Sequence, residues 1–110
     1  MQITLTTAGR KTGKPHRVTL YAYPDDDRLV VVGSYGGHPT DPDWAANLRK
    51  TPLASVRRGG EEIEYRVEEV DGPERDRLWK LVIDAFPLYG TYQGRTERVI
   101  PLFVLEPVGG

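Results

Sequence analysis

Apolar and polar side chains alternate over Ile3-Thr4-Leu5-Thr6-Thr7 and again over Val18-Thr19-Leu20-Tyr21-Ala22-Tyr23. This is the period-two rhythm of strands with one buried face. Pro24-Asp25-Asp26-Asp27 turns the chain into Leu29-Val30-Val31-Val32-Gly33, an apolar run suited to a central strand buried on both sides. The segment Ser34 to Pro39, with Gly36 and Gly37, breaks regular structure. Asp41-Pro42-Asp43 then carries helix-start chemistry, with Asp41 as N-cap and Pro42 at the first helical position. The pattern predicts a short helix over Pro42 to Lys50, closed by Pro52.

A hairpin is expected next, from Leu53 to Arg57, through a Gly59-Gly60 turn, into Ile63 to Glu68. Ile63, Tyr65 and Val67 share one face, and Glu62, Glu64, Arg66 and Glu68 the other. Asp71 and Glu74 stand three apart in the positions of a capping box. Leu78, Leu81, Val82 and Ala85 then make one stripe of a second helix, which Pro87 ends. A loop or short helix carries Tyr89, Tyr92 and Arg95, and Val99 to Leu105 reads as a last buried strand. Six strands with short connections imply antiparallel pairing. The order suits an α+β, mainly β fold: a six-stranded antiparallel barrel with two covering helices. Residues 1–110 are expected to form a single domain.

Composition narrows the chemistry. The chain has no Cys and two His, so a disulfide framework, a thiolate zinc site, a cysteine nucleophile and a histidine metal site are not expected. A formal net charge of -1 argues against a nucleic-acid partner, which would call for a broad basic face. No signal peptide or membrane-spanning run is visible, so a cytoplasmic location and a small-molecule partner are expected.

Charge is nevertheless uneven. Arg10, Lys11, Lys14 and Arg17 all precede Asp25, the first acidic residue. They surround Gly9 and Gly13, which permit positive φ and could turn backbone N–H groups inward as an anion-binding nest. Thr12 adds a hydroxyl and Pro15 a rigid exit. A basic hairpin tip would look similar, but four cations without a compensating acid favour a bound anion, most simply a phosphate. A Walker A loop is excluded, because three residues rather than four separate the glycines and a strand follows.

The block Leu5-Thr6-Thr7-Ala8-Gly9-Arg10-Lys11-Thr12-Gly13-Lys14-Pro15 resembles the opening motif of the deazaflavin-dependent nitroreductase family. The resemblance continues through Val32 to Pro39, Pro42 to Leu48, and Tyr89 to Thr96 followed by Ile100-Pro101, in order and over almost the whole chain. It implies a split β-barrel of the FMN-binding-like kind and coenzyme F-420, a deazaflavin with a phosphate-bearing tail. Arg10, Lys11, Thr12 and Gly13 would then contact the phosphate and tail. Ser34 and Gly36 would let the backbone approach the ring, Trp44 would form an apolar wall, and Asn47 would offer an amide. His16 stands where many relatives have Arg, and Arg17 follows; strand alternation lets only one of them aim at the cofactor. Tyr35 stands where many relatives have Lys. Both departures lower the positive charge and keep FMN as the less favoured cofactor. The chain starts almost directly on its first strand, so the membrane-associating role of the N-terminal extension in some relatives is not expected.

By the same resemblance, the chemistry is hydride transfer from reduced F-420 to a small activated acceptor, such as a quinone or a nitro compound. Tyr21, Phe86, Tyr89 and Tyr92 would line the substrate pocket, with Tyr89 and Tyr92 as the catalytic hydrogen-bond or proton donors. Phe86 replaces a third tyrosine found in relatives. Two other readings stay open: an FMN-binding split-barrel oxidoreductase, and a carrier that binds the deazaflavin without catalysis. A homodimer is one assembly open to the chain, paired through the Ile63-Tyr65-Val67 face or the last strand.

Overall fold

The alternation in the first strands becomes the inside and outside of a barrel in the computed structural model, which describes residues 1–108. The strands are β1 (Gln2–Ala8), β2 (Pro15–Asp25), β3 (Arg28–Val32), β4 (Leu53–Arg58), β5 (Glu61–Glu69) and β6 (Leu102–Pro107). They close in the order β1-β2-β3-β6-β5-β4, and every neighbouring pair is antiparallel. Ile3, Leu5, Ala22, Val31, Val56, Tyr65, Val67, Phe103 and Leu105 fill the interior. The helix α1 (Asp43–Lys50) packs Ala45 and Leu48 against that filling.

A second core explains why β3 and β6 are apolar on both faces. Val30, Val32, Leu102 and Val104 point outward, where Leu78 and Val82 of α2 (Gly72–Ala85) cover them. Tyr89 of α3 (Leu88–Gly94) completes that layer. The stripe expected on α2 is met by Leu78, Val82 and half-buried Leu81, but Ala85 is exposed. Gly59 and Gly60 both take positive φ in the two-residue turn between Arg58 and Glu61, as a primed hairpin turn requires. No helix among the described residues is long and apolar enough to cross a membrane.

Several local expectations need correction. The short helix expected as one alternative after Pro87 forms as α3, with Pro87 at its N-cap and Tyr89 anchored in the outer core, so three α-helices rather than two stand among the described residues. The first helix starts at Asp43 with Pro42 as N-cap; the Asp41 carboxylate is instead drawn to Arg98 and Arg49. Asp71 occupies the N-cap of α2 without capping through its side chain. Glu74 reaches Arg28 and Arg77 rather than closing a capping box. β2 begins at Pro15 rather than Val18, and β6 begins at Leu102 because Pro101 has no N–H to give the ladder. Tyr65 and Val67 turn into the barrel, and Leu102 to Leu105 are all buried. Neither face proposed for pairing copies of the chain is therefore free.

Candidate active site

β2 changes partners partway along. Pro15–Tyr21 pair with β1, whereas β3 pairs with Ala22–Asp25 and then follows β6. From Pro15 to Tyr21 the second backbone edge of β2 therefore has no strand beside it among the described residues. A groove of about 400 Å3 opens there, walled by β2, the turn at Tyr35–Gly37 and the start of α1. His16, Arg17 and Val18 all line it. Successive side chains of a strand point to opposite faces, so three in a row can line one groove only where it meets the strand edge-on. His16 and Arg17 therefore both border this groove, although strand alternation alone would turn one of them away from it.

The groove continues into a smaller hollow of about 230 Å3 lined by Gly9, Arg10, Lys11 and Thr12, with His16, Asp43 and Asn47 common to both. The loop differs from the nest expected of it. Gly13 has φ +76°, but Gly9 does not have positive φ; its role is space, since a Cβ there would lie 2.8 Å from the His16 ring. The Gly9 amide donates to Lys14 O and the Gly13 amide to Gly9 O. Lys14 N–H donates to Thr12 Oγ1. Among the described residues this leaves the Lys11 and Thr12 amides as the loop donors without a partner. Gly13 lies in a separate shallow depression beside Pro15 and Ala54.

Asn47 holds this loop. Its side chain is buried, its Oδ1 accepts from the Arg10 amide at 3.0 Å and from Arg10 Nη1 at 3.3 Å, and its Nδ2 donates to Thr7 Oγ1 at 3.1 Å. Lys50, one turn on along α1, donates to Arg10 O at 2.7 Å. Trp44, three residues before Asn47, lines the groove with one side and stacks edgewise on Phe103 of the core, centroids 5.7 Å apart. Trp44 and Asn47 thus both line the groove, and Asn47 is also the strut between helix and loop. Sequence reasoning missed that second role, for which an amide facing a Gly-rich loop from a capping helix is the only signal.

Opposite stand Tyr35 and His38, with ring centroids 4.8 Å apart. Tyr35 has φ +46°, a left-handed conformation uncommon outside glycine. Ser34 and Gly36, expected near the ring, belong to the same turn but do not line the groove. Gly37 does have a steric reason to be glycine: a Cβ would fall 2.6 Å from Tyr92 O.

A second hollow, of about 440 Å3, lies between the outer face of β2 and the end of α2. Met1, Tyr21, Tyr23, Phe86 and Tyr89 line it. The Tyr89 hydroxyl lies 2.8 Å from that of Tyr23, a residue the sequence did not single out. Burial, and then the Tyr23 hydroxyl, hold the Tyr89 phenol well above its ordinary pKa, so it stays neutral and acts through hydrogen bonding. Tyr92 stands apart from this hollow, 6.4 Å from the Tyr89 ring and beneath the Arg95 guanidinium. The two hollows share no lining residue. They open at neighbouring stretches of β2, with Val18 and Tyr21 roughly 10 Å apart along the strand.

An open-edged β-barrel with a basic loop, an aromatic groove and a tyrosine-lined hollow is the architecture of a split-barrel oxidoreductase. The model of the family described as F420H(2)-dependent quinone reductase matches residues 1–107, and the chain belongs to that family. It is 35% identical over 104 residues to an F420H(2)-dependent quinone reductase of Mycobacterium tuberculosis, covering 92% of this chain and 70% of that protein. A solved structure described as an F420-H2 dependent reductase (FDR-A) superposes with a TM-score of 0.86 at 36% identity, over 96% of this chain and 93% of that one. Another, described as a domain-swapped dimer, gives the same TM-score and identity over 96% of this chain and 79% of its own.

Proposed function

We propose that this chain reduces a quinone with the hydride of reduced coenzyme F-420, its residues 1–110 acting as one cofactor-binding domain. The observation that carries this reading is the groove on the open edge of β2, which joins an aromatic wall to the Arg10-Lys11 loop. Its chemistry fits a flat ring with an anionic tail. The Lys11 and Thr12 amides have no partner among the described residues. The Thr12 oxygen accepts from Lys14 and leaves its own proton to donate. Among the described residues Lys11 enters no ion pair, and Asp41, one of the two carboxylates at the groove, is held by Arg49 and Arg98.

In this reading Arg10, Lys11 and Thr12 hold the phosphate through charge-assisted and hydroxyl hydrogen bonds. Gly13 shapes the loop, Asn47 fixes it, and His16, packed on Gly9, would border the tail. Trp44 and Tyr35 flank the ring, and Ser34 and Gly36 form the turn that carries Tyr35. The bound deazaflavin supplies a hydride, and a quinone that takes up that hydride and one proton becomes a hydroquinone. Tyr21, 58% exposed, and Phe86 offer the acceptor aromatic faces on which to stack. Tyr89 is positioned to donate a hydrogen bond to the oxygen that gains charge, with Tyr92 behind it. A homodimer would have to form through surfaces other than the two that the barrel buries.

Titration of the purified protein with F-420 and with FMN, followed by fluorescence, tests the cofactor. Reduced F-420 mixed with a soluble quinone or a nitroaromatic tests the reaction. F-420 binding with hydroquinone formation is the expected result. Binding of FMN alone overturns the cofactor, and F-420 binding without turnover of either acceptor overturns the enzyme in favour of a carrier.

A further inference from the structure

Arg98 lies on the segment between α3 and β6, outside every residue set assigned above. Its side chain is 14% exposed, and its guanidinium makes four hydrogen bonds. Nε donates to His38 O at 2.8 Å, and Nη2 to Ser34 O at 2.7 Å. Nη1 donates to Gly33 O at 3.1 Å and to Asp41 Oδ1 at 2.8 Å. These acceptors span both ends of the Gly33–Asp41 segment, so one side chain ties that stretch into a closed loop. Its own backbone is fixed in turn, because Gln93 Nε2 donates to Arg98 O at 2.7 Å and Gln93 Oε1 accepts from the Ile100 amide at 2.9 Å. Asp41 also accepts from Arg49 at 2.6 Å, and Arg49 grips Glu69 of β5 at 2.8 Å. The chain of contacts thus ends on the barrel wall.

We propose that Arg98 is a positioning residue for the cofactor groove, holding the turn that carries Tyr35 and His38 in the conformation that makes them its wall. The Tyr35 backbone is in the left-handed region, which persists only where surrounding contacts over-determine it. Three of the four Arg98 acceptors are main-chain carbonyls on either side of that residue. A planar fork with donors in fixed directions can serve them together, whereas a lysine ammonium is a point charge on a flexible stem. The turn's other supports are the hydrogen bonds from Gly37 N–H to Ser34 O, from His38 N–H to Tyr35 O and from Gly33 N–H to Pro101 O, and the close approach of Gly37 to Tyr92 and Arg95. Of the side chains, Arg98 reaches carbonyls on both sides of Tyr35.

The affinity arm of this inference rests on the cofactor reading above, and the exchange arm does not. Arg98→Lys keeps the charge and loses the fork; Arg98→Gln is a second variant should Arg98→Lys fail to fold. Amide hydrogen exchange is expected to quicken in residues 34–41 while β1, β3 and β6 keep their protection. Affinity for F-420 should fall about tenfold or more, with the hydride-transfer rate at saturating F-420 within about threefold of wild type, as expected for lost ground-state positioning. Unchanged exchange in residues 34–41 would overturn the inference, and so would protection lost throughout the barrel with F-420 affinity intact. If wild-type protein does not bind F-420, the cofactor reading fails and the exchange result alone decides the role of Arg98.

Discussion

The phenolic oxygens of Tyr23 and Tyr89 lie 2.8 Å apart, joining β2 to α3 with their rings edge to face at 5.9 Å. Two hydroxyls that share one hydrogen bond have one proton left over. When Tyr23 donates, the Tyr89 proton is free to turn toward the hollow that Tyr21 and Phe86 line. Tyr23, which the sequence did not place beside the two expected donors Tyr89 and Tyr92, would then set the direction in which Tyr89 donates.

Tyr89→Phe keeps the ring packing and removes that donor. Turnover of a quinone by reduced F-420 should fall about ten- to a thousandfold, the range for losing one acid or oxyanion donor. F-420 affinity should stay near wild type, because the Arg10-Lys11 loop is untouched. Tyr23→Phe should cost about 1 kcal/mol of stability and a smaller share of the rate. Stopped-flow hydride transfer makes the comparison, and unchanged rates in both Tyr89→Phe and Tyr92→Phe would end the tyrosine-donor idea.

Asn47→Ala should act on two properties together. It strips partners from the Arg10 amide and the Thr7 hydroxyl, a loss of about 1–3 kcal/mol for buried polar groups left unpaired. It also frees the Arg10-Lys11 loop from α1, so, if that loop holds the cofactor tail as proposed, F-420 should bind more weakly. Asn47→Asp can still accept from Arg10, so its melting temperature should lie between those of wild type and Asn47→Ala. Thermal melts beside a fluorescence titration check both effects, and an Asn47→Ala protein with wild-type melting would show that the strut carries no weight.

Much of the fold was legible because burial follows the alternation. Ile3 and Leu5 face inward, the Leu29 to Val32 run is covered on both faces, and Gly59-Gly60 makes its turn. The basic loop was legible as a place but not as a geometry. Whether Gly9 N–H points at a ligand or at Lys14 O depends on the loop closing on itself, which spacing does not reveal. Caps were misjudged where a better partner arrives from far along the chain: Asp41 is taken by Arg98, and Glu74 by Arg28. The shared access of His16 and Arg17 required knowing that β3 leaves β2 at Ala22, a tertiary fact. Tyr23 and Arg98 were invisible for the same reason, since their partners lie 66 and between 57 and 65 residues away.

Acid should loosen the contact between the β2–β3 turn and α2. Asp25 accepts from Arg77 at 2.9 Å and from Arg28 at 2.6 Å. Those hydrogen bonds, Arg77 first, hold its carboxyl at about 2, below the usual 3.8. A depressed folded-state pKa contributes stability above the unfolded value and loses it as pH falls through the folded one. The contribution, about 2 kcal/mol at most, should therefore be present at neutral pH and disappear between about pH 4 and pH 2. Asp25→Asn should melt lower than wild type at pH 7 and converge with it near pH 2. Parallel melting curves across that range would remove the assignment.

Lys11 and Arg10 should prove unequal partners for the cofactor phosphate. The Arg10 guanidinium already lies near Asn47 Oδ1 at 3.3 Å and Asp43 at 3.4 Å, so a phosphate must compete for it. Lys11 has no side-chain hydrogen bond or ion pair among the described residues, and its full charge is available. A charge-assisted bond contributes about 1.5–3 kcal/mol, so Lys11→Ala should weaken F-420 binding at least about tenfold. The loss from Arg10→Ala should be smaller, and the double variant should exceed either. Melting temperature should barely move for Lys11→Ala, whose side chain is at the surface. Added salt screens exposed charges, so the gap between wild type and Lys11→Ala should narrow as ionic strength rises. Asp43→Asn should shift affinity the other way, since its carboxylate lines the groove and repels an anion. Fluorescence titrations at low and high salt decide it: a Lys11→Ala, Arg10→Ala double variant that binds F-420 as tightly as wild type at low salt would show that the loop does not hold the phosphate.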